Sequence, residues 1–328
     1  MNLPATVVLP TYNGARFLAP TLRSIADQTV RPSEVIVVDD ASTDGTPRLA
    51  EATCRSLGLL ARVVERPTNS GGPAVPMNDG VALAETEAVV LQDQDDLMTP
   101  RRIELQSAAL ADRAGSALVF GWIALLGAGE ERSEVPFKVR PERIRAVTGD
   151  SGAPGVRWLD PAAFYADTLI NGNVIGASNV AFRKSAWAAA GGFRTDWKVI
   201  WDYDFACRVT RLGRVGFVDH QVAWYRLHEG NLHTRGLVCD REWGALLRDH
   251  YRRPLWPIDR RALRPVLAEH AFTLAYRESV RGSGWRAGVG FADALRYGAD
   301  RLRCVAGAGK VPLHLLRRLW QSHPAKGA

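Results

Sequence analysis

Four short apolar runs alternate with helical stretches in the first 91 residues, and this alternation restricts the chain to few folds. The runs lie at residues 6–9, 35–38, 62–65 and 88–91. Between the first two, apolar residues recur at the spacing of an amphipathic helix. Strands that alternate with helices in this way form a parallel sheet with right-handed crossovers. The pattern therefore predicts an α/β domain built on a doubly wound, mostly parallel sheet flanked by helices.

Three polar turns follow the first, second and fourth runs, at residues 10–14, 39–46 and 92–96. In an open α/β sheet such turns lie at the carboxyl edge, where ligands bind. The third turn, QDQDD, places three carboxylates in four residues, and a divalent cation commonly offsets their mutual repulsion. The alternative is a solvated loop before a helix that Thr99 caps and Pro100 begins.

Composition places the chain among soluble globular proteins. Its 328 residues suit one large domain, or a domain with an appendage. The four cysteines are far apart and form no C-x-x-C pair, which argues against a zinc site or disulfide framework and suits a reducing compartment. Residues 6–9 already resemble a strand, so no signal peptide is expected. The uncharged stretch 114–129 is shorter than the roughly 20 residues of a spanning helix. We expect a strand and turn there, and a cytoplasmic protein.

Positive charge is concentrated in the last quarter of the chain. Residues 241–328 hold 17 Lys and Arg against 7 Asp and Glu, a net charge of +10, whereas the first 240 residues carry −3. A basic surface can bind nucleic acid or anionic lipid, or can simply keep a protein soluble. No nucleic-acid motif accompanies this charge, so we expect no nucleic-acid partner.

Two familiar nucleotide-binding motifs are missing from the first turn. A Rossmann dehydrogenase would have G-x-G-x-x-G there, but the turn contains the single glycine Gly14. A P-loop lysine motif is also absent. A nucleotidyltransferase on a similar sheet would be expected to carry a Gly-rich, lysine-containing first loop, and residues 10–14 do not.

Three segments in order resemble family 2 glycosyltransferases with the GT-A fold. They are VVLPTYNG at 7–14, VVDDASTD at 37–44 and DQDD at 93–96. The resemblance covers about residues 5–230. It implies a catalytic domain over residues 1–240, with a nucleotide-sugar-binding half at 1–115 and an acceptor-binding half at 116–240. Residues 241–328 would form a basic helical region.

The resemblance also implies which residues bind the donor and a metal. Asp39 would accept a hydrogen bond from a uracil-like base, which favours a UDP- or dTDP-sugar, unless it caps the following turn. Mg²⁺ or Mn²⁺ would be held by Asp95, with Asp93 on the metal or the ribose, and by His228 if that histidine is not structural. The donor-binding set is Pro10, Thr11, Tyr12, Asn13, Asp39, Asn69, Asp93, Gln94 and Asp95.

The third loop departs from the family pattern. Asn69 and the glycines that follow it fit, but Met77 stands where an arginine is common. A basic contact to the donor phosphate is therefore either lost or replaced by Arg66.

A later segment resembles the family's catalytic motif, G-G-F followed by E-D-x-D-x-x-x-R. Here it is GGF at 191–193 and WDYDFACR at 201–208, with Trp201 in place of the usual Glu. By this resemblance Asp202 is the catalytic base that deprotonates the acceptor hydroxyl. The alternative is that Asp202 caps a helix over 202–212, and Asp204 competes for the base role. Trp201 and Asn179 are expected on the acceptor side, Trp201 as a sugar platform or a core residue.

The processive-synthase motif Q-x-x-R-W is absent, which favours addition of one or a few sugars. Beyond Arg241 we expect helices, including 285–302 and 311–320, with an apolar face from Leu263 to Ala275. These helices could pack on the catalytic domain, pair in a homodimer or lie on anionic lipid at the inner face of the plasma membrane.

The sequence thus predicts a metal-dependent, inverting, non-processive glycosyltransferase. It would transfer a sugar from a nucleotide-sugar to a hydroxyl of a glycan, lipid-linked or small-molecule acceptor in bacterial cell-surface polysaccharide or glycoconjugate biosynthesis. The alternatives are a nucleotidyltransferase-type enzyme and a catalytically inactive nucleotide-binding scaffold.

Overall fold

The computed structural model describes residues 2–127, 130–137, 139, 141–231, 236–300 and 304. The chain divides into two compact units, Met1–Asn231 and Leu232–Ala328. A boundary at residue 240 would fall inside a helix, Gly236–Arg252.

The first unit is an α/β domain. Its strands are β1 Ala5–Thr11, β2 Glu34–Asp39, β3 Ala61–Glu65, β4 Ala88–Leu91, β5 Leu97–Met98, β6 Ser116–Leu126, β7 Arg132–Phe137, β8 Thr148–Ser151, β9 Val156–Leu159, β10 Val180–Arg183 and β11 Arg214–Arg226. Its helices are α1 Ala15–Ala26, α2 Thr46–Ser56, α3 Ala74–Leu83, α4 Arg102–Asp112, α5 Pro141–Ala146, α6 Pro161–Asn171, α7 Lys184–Ala189 and α8 Trp201–Val209, with a 3₁₀ helix at Ala177–Asn179.

The strands form one 11-stranded sheet in the order β3-β2-β1-β4-β10-β6-β11-β9-β8, with β5 on β11 and β7 on β6. The first four strands are parallel, as their sequence predicts. β10 inserts antiparallel between β4 and β6, and β6 pairs in parallel with β11. Strands β4 and β6 therefore point the same way, and their carboxyl ends open at the same edge.

Alternation along the strands builds one apolar core on each face of the sheet. Val8 and Leu91 face a core covered by α3, α6 and α8, whereas Val7 and Val90 face a core covered by α1, α2 and α4. Each fully buried aliphatic side chain contributes about 1.5–3 kcal/mol relative to its exposed state. Both faces are covered, which explains why the first strands are apolar without interruption.

Some predicted boundaries are wrong. The fourth helix begins at Arg102 and not at Pro100, and the Thr99 hydroxyl donates to the carbonyl oxygen of Gln221 instead of capping that helix. Residues 97–98 form β5, which pairs with β11. Arg214–Arg226 form one long strand, β11, with register shifts around Gln221. The helix that begins near Asp202 ends at Val209, short of residue 212.

The described part of the second unit is helical, with α9 Gly236–Arg252, α10 Arg260–Val280 and α11 Gly284–Tyr297. Leu263, Leu267 and Ala275 lie on the buried face of α10, as predicted. A Cβ at Gly290 would lie 2.8 Å from that of Ala275, so α11 approaches α10 closely there. Among the described residues, no helix is both long and apolar enough to cross a membrane. The helix expected at 311–320 lies outside the described residues.

Candidate active site

The first two polar turns are joined by hydrogen bonds at the carboxyl edge of the sheet. The amide N–H of Asn13 donates to the Ser42 hydroxyl at 2.8 Å, and the N–H of Thr43 donates to Asn13 Oδ1 at 2.9 Å. Asn13 has φ of +46°, a left-handed conformation that asparagine tolerates better than most residues. Asn13 therefore links the two turns and leaves the neighbouring Tyr12 side chain exposed.

The third turn is attached to the first through Gln94. Its side-chain oxygen accepts from the N–H of Tyr12 at 2.9 Å, and its amide nitrogen donates to the Tyr12 carbonyl at 3.1 Å. A Cβ at Gly14 would lie 2.1 Å from the same Gln94 oxygen, so a larger residue there would displace the Gln94 side chain. We call this arrangement of Tyr12, Gly14 and Gln94 the amide clamp.

Asp39 is 1% exposed at the end of β2, below the first turn. Its Oδ1 accepts from the hydroxyls of Thr11 at 2.8 Å and Ser42 at 2.6 Å, and its Oδ2 accepts from the N–H of Ser42 at 2.7 Å. Asp39 thus does cap the turn that follows it. Oδ2 accepts one hydrogen bond here, and a carboxylate oxygen can accept two.

Two expected donor-side residues serve the adjoining loop. The side chain of Asn69 donates to the Asp40 carbonyl at 3.0 Å and accepts from the N–H of Gly71 at 2.8 Å. Arg66 pairs with Asp40 at 2.9 Å and also with Asp79. Arg66 is therefore held by two carboxylates, while Met77 is buried in the core.

Asp93 lies just past β4 and is bound to Ser178 of the 3₁₀ helix. The Asp93 N–H donates to the Ser178 hydroxyl at 3.2 Å, and that hydroxyl lies 3.4 Å from Asp93 Oδ2. Burial, and then the charges of Asp95 and Asp202, raise the pKa of the Asp93 carboxyl to about 7. Two of the predicted metal-side carboxylates and the predicted base therefore lie close enough to interact.

Asp95 and His228, far apart in sequence, are in contact. His228 Nε2 lies 2.8 Å from Asp95 Oδ2, and His228 Nδ1 accepts from the N–H of Gly230 at 3.1 Å. An imidazole nitrogen that accepts is unprotonated, so the other nitrogen, Nε2, carries the proton and donates to Asp95. The ring also packs on Phe17 at 4.6 Å between centroids, which fixes its plane.

Asp96 is fully buried behind this pair. Its Oδ1 accepts from the N–H of Arg226 at 2.8 Å, while Oδ2 has no hydrogen-bond partner in the described residues. Burial together with the charges of Asp95 and Asp93 raises the pKa of Asp96 well above its usual value. The turn therefore holds more negative charge than its surroundings neutralise.

Sequence reasoning missed a buried cation beneath these acids, Arg102, and the glutamine that binds it, Gln92. Arg102 is fully buried at the start of α4, and its Nη1 donates to Gln92 Oε1 at 2.6 Å. Arginine is almost never fully buried, so a sequence pattern gives no reason to expect it there. Ser178 was missed as well, because serine is too common to signal a contact with Asp93.

Helix α8 carries Asp202 and Asp204, which lie in different environments. Asp202 is partly buried, one of its oxygens accepts from the N–H of Tyr203 at 2.8 Å, and the other faces Gly176. Asp204 is 3% exposed and pairs with Arg208 at 2.7 Å and Arg194 at 3.5 Å. Of these two carboxylates, only Asp202 contributes to the raised pKa of Asp93.

The two expected acceptor-side residues are buried. Trp201 is 5% exposed and packs edge-on against Phe193 at 4.9 Å, so its ring is not available as a sugar platform in this conformation. Asn179 is 2% exposed, donates to the carbonyls of Gly121 and Val174 and accepts from the N–H of Gly176. Both side chains hold the acceptor-side scaffold in place.

The carboxylate ligands at this edge of the sheet fit a hard divalent cation in part. Within the described residues, no three His, Cys, Asp or Glu side chains converge as a ready-made metal site. Cations of the Mg²⁺ type need only one or two protein carboxylates when substrate phosphates complete the coordination. Burial, and then the neighbouring carboxylates, raise the pKa of Asp93, and Asp96 Oδ2 is unpartnered in the described residues, so a cation bound here would favour the charged carboxylates.

Sequence comparison identifies residues 6–142 as Glycosyl transferase family 2. The chain is 30% identical over 172 residues to the poly(ribitol-phosphate) beta-N-acetylglucosaminyltransferase TarS of Staphylococcus aureus, covering 52% of this chain and 29% of TarS. It is 36% identical over 105 residues to the putative glycosyltransferase EpsE of Bacillus subtilis, covering 32% of this chain and 37% of EpsE. These alignments thus span about a third of the relatives' length.

Two solved structures have a fold similar to that of this chain. TarS 1-349 from S. aureus, in complex with UDP-GlcNAc, superposes with a TM-score of 0.66 at 20% identity, covering 98% of this chain and 91% of that one. The mannosyltransferase PcManGT from Pyrobaculum calidifontis, in complex with GDP-Man and Mn²⁺, gives a TM-score of 0.57 at 21% identity, covering 98% and 83%. Residues 6–142 therefore match glycosyltransferase family 2, and the chain has the GT-A fold of these structures.

Proposed function

We propose that this chain transfers a sugar from a nucleotide-sugar to an acceptor hydroxyl, with inversion and with the help of Mg²⁺ or Mn²⁺. The observation that carries the proposal is that Asp93, just past β4, lies within electrostatic reach of Asp95 and Asp202, and that Asp93 and Asp202 both lie beside residues 176–178. Asp93 and Asp95 come from the end of a strand and Asp202 from α8, about 110 residues later in the chain. An inverting transfer needs such an arrangement, with carboxylates that would hold a cation on the leaving-group side and a base on the opposite side.

Each residue has a defined part in this reaction. Asp95 would hold the cation, with Asp93 beside it and His228 fixing the orientation of the Asp95 carboxylate. When bound, the cation supplies stabilisation of the negative charge that develops on the leaving diphosphate. Asp202 takes the proton of the acceptor hydroxyl as the new glycosidic bond forms. The nearby Asp204 is neutralised by two arginines, which leaves Asp202 as the base.

The donor is proposed to be a UDP- or dTDP-sugar. Asp39 lies beneath the first turn and keeps an acceptor position on Oδ2, which suits the N3–H of uracil or thymine. The amide clamp fixes the turn that would border the base. A TarS structure in complex with UDP-GlcNAc supports the same choice.

The acceptor is proposed to be a bacterial cell-surface glycan or glycoconjugate. Two relatives at 30–33% identity are named as enzymes that modify poly(ribitol-phosphate). The halves at residues 1–115 and 116–240 are proposed to bind donor and acceptor, respectively.

A cytoplasmic location with peripheral membrane contact is proposed for the basic region 241–328. Its net charge of +10 would favour anionic lipid by about 1 kcal/mol for each basic residue near the surface. Flotation of the full chain with phosphatidylglycerol and phosphatidylcholine vesicles tests this. We expect salt-sensitive binding to the anionic vesicles only; equal recovery in the soluble fraction with both would favour packing or a homodimer.

Hydrolysis of nucleotide-sugars tests the main proposal. The purified chain is incubated with UDP-glucose, UDP-N-acetylglucosamine, a dTDP-sugar and GDP-mannose, with Mn²⁺ or with EDTA, and release of the nucleoside diphosphate is measured. We expect release from a UDP- or dTDP-sugar that requires Mn²⁺ and is lost in Asp95→Ala. Release of pyrophosphate from a nucleoside triphosphate and a sugar phosphate would instead support a nucleotidyltransferase, and absence of any nucleotide binding would support an inactive scaffold.

A further inference from the structure

Arg102 is a buried cation that bonds to two separate segments beneath the acidic turn and to Gln106 of its own helix. Its Nη2 donates to the carbonyl of Leu91 at 2.6 Å, at the end of β4, and also lies 3.3 Å and 3.2 Å from the carbonyls of Ala177 and Val180. The Nε donates to Gln106 at 3.1 Å. The planar guanidinium carries its donors in a rigid fork, so these bonds fix the relative positions of the segments.

Those segments carry the neighbours of Asp93. Leu91 and Gln92 lead directly into Asp93, and Ala177 precedes Ser178, whose hydroxyl accepts from the Asp93 N–H. Arg102 thus bonds to the carbonyl of the residue before Ser178 and to the carbonyl of the residue two positions before Asp93. If the guanidinium were removed, the two segments would lose the group that holds them together.

The charge of Arg102 is also unusual. Among the described residues, no carboxylate lies within ion-pair distance of its guanidinium, and its hydrogen-bond partners are carbonyl and amide oxygens. Burying a charge without a contacting counter-ion is costly. Burial lowers the pKa of Arg102 to about 9, and the charges of Asp96 and Asp93 oppose that shift. The acids and the arginine therefore stabilise each other across a short gap.

We propose that Arg102 is a positioning residue for the divalent cation and the donor diphosphate. It holds the Asp93 turn against the 3₁₀ helix in the geometry that binds the cation, and its charge limits repulsion among Asp93, Asp95 and Asp96 before the cation arrives. It touches neither substrate nor the reacting atoms. The proposal rests on the metal-dependent function proposed above.

Binding of Mn²⁺ in the presence of UDP tests this in the full-length chain, by electron paramagnetic resonance of free Mn²⁺. Arg102→Met should raise the dissociation constant for Mn²⁺ by about 10–100-fold, the usual effect of removing groups that orient metal ligands. Arg102→Lys, which keeps the charge but not the fork, should restore part of the affinity. A variant that stays folded by circular dichroism and binds Mn²⁺ like the wild type would overturn the proposal.

Arg183→Met is the matched control. Arg183 lies at the other end of β10, where its Nη2 donates to the carbonyl of Leu110 at 2.7 Å. This substitution should lower thermal stability without changing the Mn²⁺ dissociation constant more than about twofold, since it removes a partly buried arginine away from the site. An equal loss of Mn²⁺ affinity in both variants would mean general destabilisation and would contradict the proposal.

Gln106→Leu covers the case in which Arg102→Met does not fold. It removes the acceptor of the 3.1 Å bond from Arg102 Nε and a bond to the carbonyl of Asn179, but leaves the guanidinium and the bonds from Gln92 to the acidic turn in place. A weaker affinity for Mn²⁺ supports the proposal, and an unchanged affinity in Gln106→Leu counts against it. If the wild type itself binds no Mn²⁺ with UDP, the metal-dependent function fails, whereas a normal wild type with unaffected variants rejects the role of Arg102 alone.

Discussion

His228 Nε2 lies 2.8 Å from Asp95 Oδ2, so a residue near the end of the first unit orients a carboxylate of the acidic turn. Phe17 stacks on the same imidazole, and the bond from Gly230 fixes its tautomer. The Asp95 carboxylate is therefore aligned before any cation binds.

Asp95→Ala should abolish Mn²⁺-dependent binding of UDP, because the carboxylate proposed to hold the cation is lost. Calorimetric titration with UDP in Mn²⁺ and in EDTA measures this. Asp27→Ala, at the exposed end of α1, is the control and should behave as the wild type. Equal UDP affinity with and without metal in the wild-type protein would refute the assignment.

Asp202→Asn should lower turnover by about 10²–10⁴-fold, the usual contribution of a general base. Donor affinity should change little, because the lost interaction is made in the transition state. Steady-state kinetics with the identified donor and acceptor separate the two effects.

Asp204→Asn should act mainly on stability. It removes the charge of the buried Asp204 carboxylate, which pairs with Arg208 and Arg194. This loss should lower the free energy of unfolding by about 1–3 kcal/mol in urea titrations. Near-normal turnover in Asp202→Asn together with lost turnover in Asp204→Asn would move the base by two residues.

UDP or dTDP should bind more tightly than GDP, because Asp39 can accept from the N3–H of uracil or thymine. Calorimetry with the three nucleotides at a fixed Mn²⁺ concentration decides this. One structural neighbour is in complex with GDP-Man, so the fold alone does not select the base. Tightest binding of GDP would show that Asp39 acts only as the cap of its turn.

Gly14→Ala should weaken UDP binding by displacing the Gln94 side chain from Tyr12. The new Cβ would lie 2.1 Å from the Gln94 oxygen, and Gly14 has an ordinary φ of −104°, so the clash is its main effect. Gln94→Ala should weaken binding similarly, and the double variant should be no worse than Gln94→Ala alone. Additive losses would show that Gly14 acts independently of the amide clamp.

Stability should depend on pH through Asp93 when no cation is bound. A carboxyl whose pKa is about 7 in the folded state and about 4 when unfolded binds more protons when folded, so its contribution to stability falls as pH rises from about 4 to 7. Asp93→Asn removes this cost. Its melting temperature should exceed that of the wild type by a margin that grows over this pH range in EDTA. A margin independent of pH would contradict the buried, repelled state of Asp93.

Much of the first half of the fold could be predicted from the sequence because its signals are local. The apolar runs at residues 35–38 and 88–91 form strands that are buried on both faces, and the order of elements sets the parallel pairing. The start of α4 was misplaced because Leu97 and Met98 pair with a strand more than 120 residues away. Local propensity at Thr99 and Pro100 contains no information about that partner.

Some residues of the candidate site could be predicted and others could not, for the same reason. Asp93, Asp95, His228 and Asp202 were named from motifs, and the structure brings them to one edge of the sheet. Trp201 and Asn179 were expected to face the acceptor, but their burial depends on packing that no single segment encodes. Arg102 was missed because a buried arginine and an exposed one look the same in sequence.

The pairing of β5 with β11 has a consequence for the order in which the protein matures during synthesis. Leu97 and Met98 leave the ribosome long before Ala223 and Trp224, their partners in the sheet. Until then, the turn that precedes β5 exposes its clustered acids without His228 or the backbone of Arg226. Domains fold largely as units from the N-terminal side during translation. A nascent chain that ends with the matched segment 6–142 lacks the strand partner of β5 and both Arg226 and His228, and the candidate site is complete only after about 90 further residues have emerged.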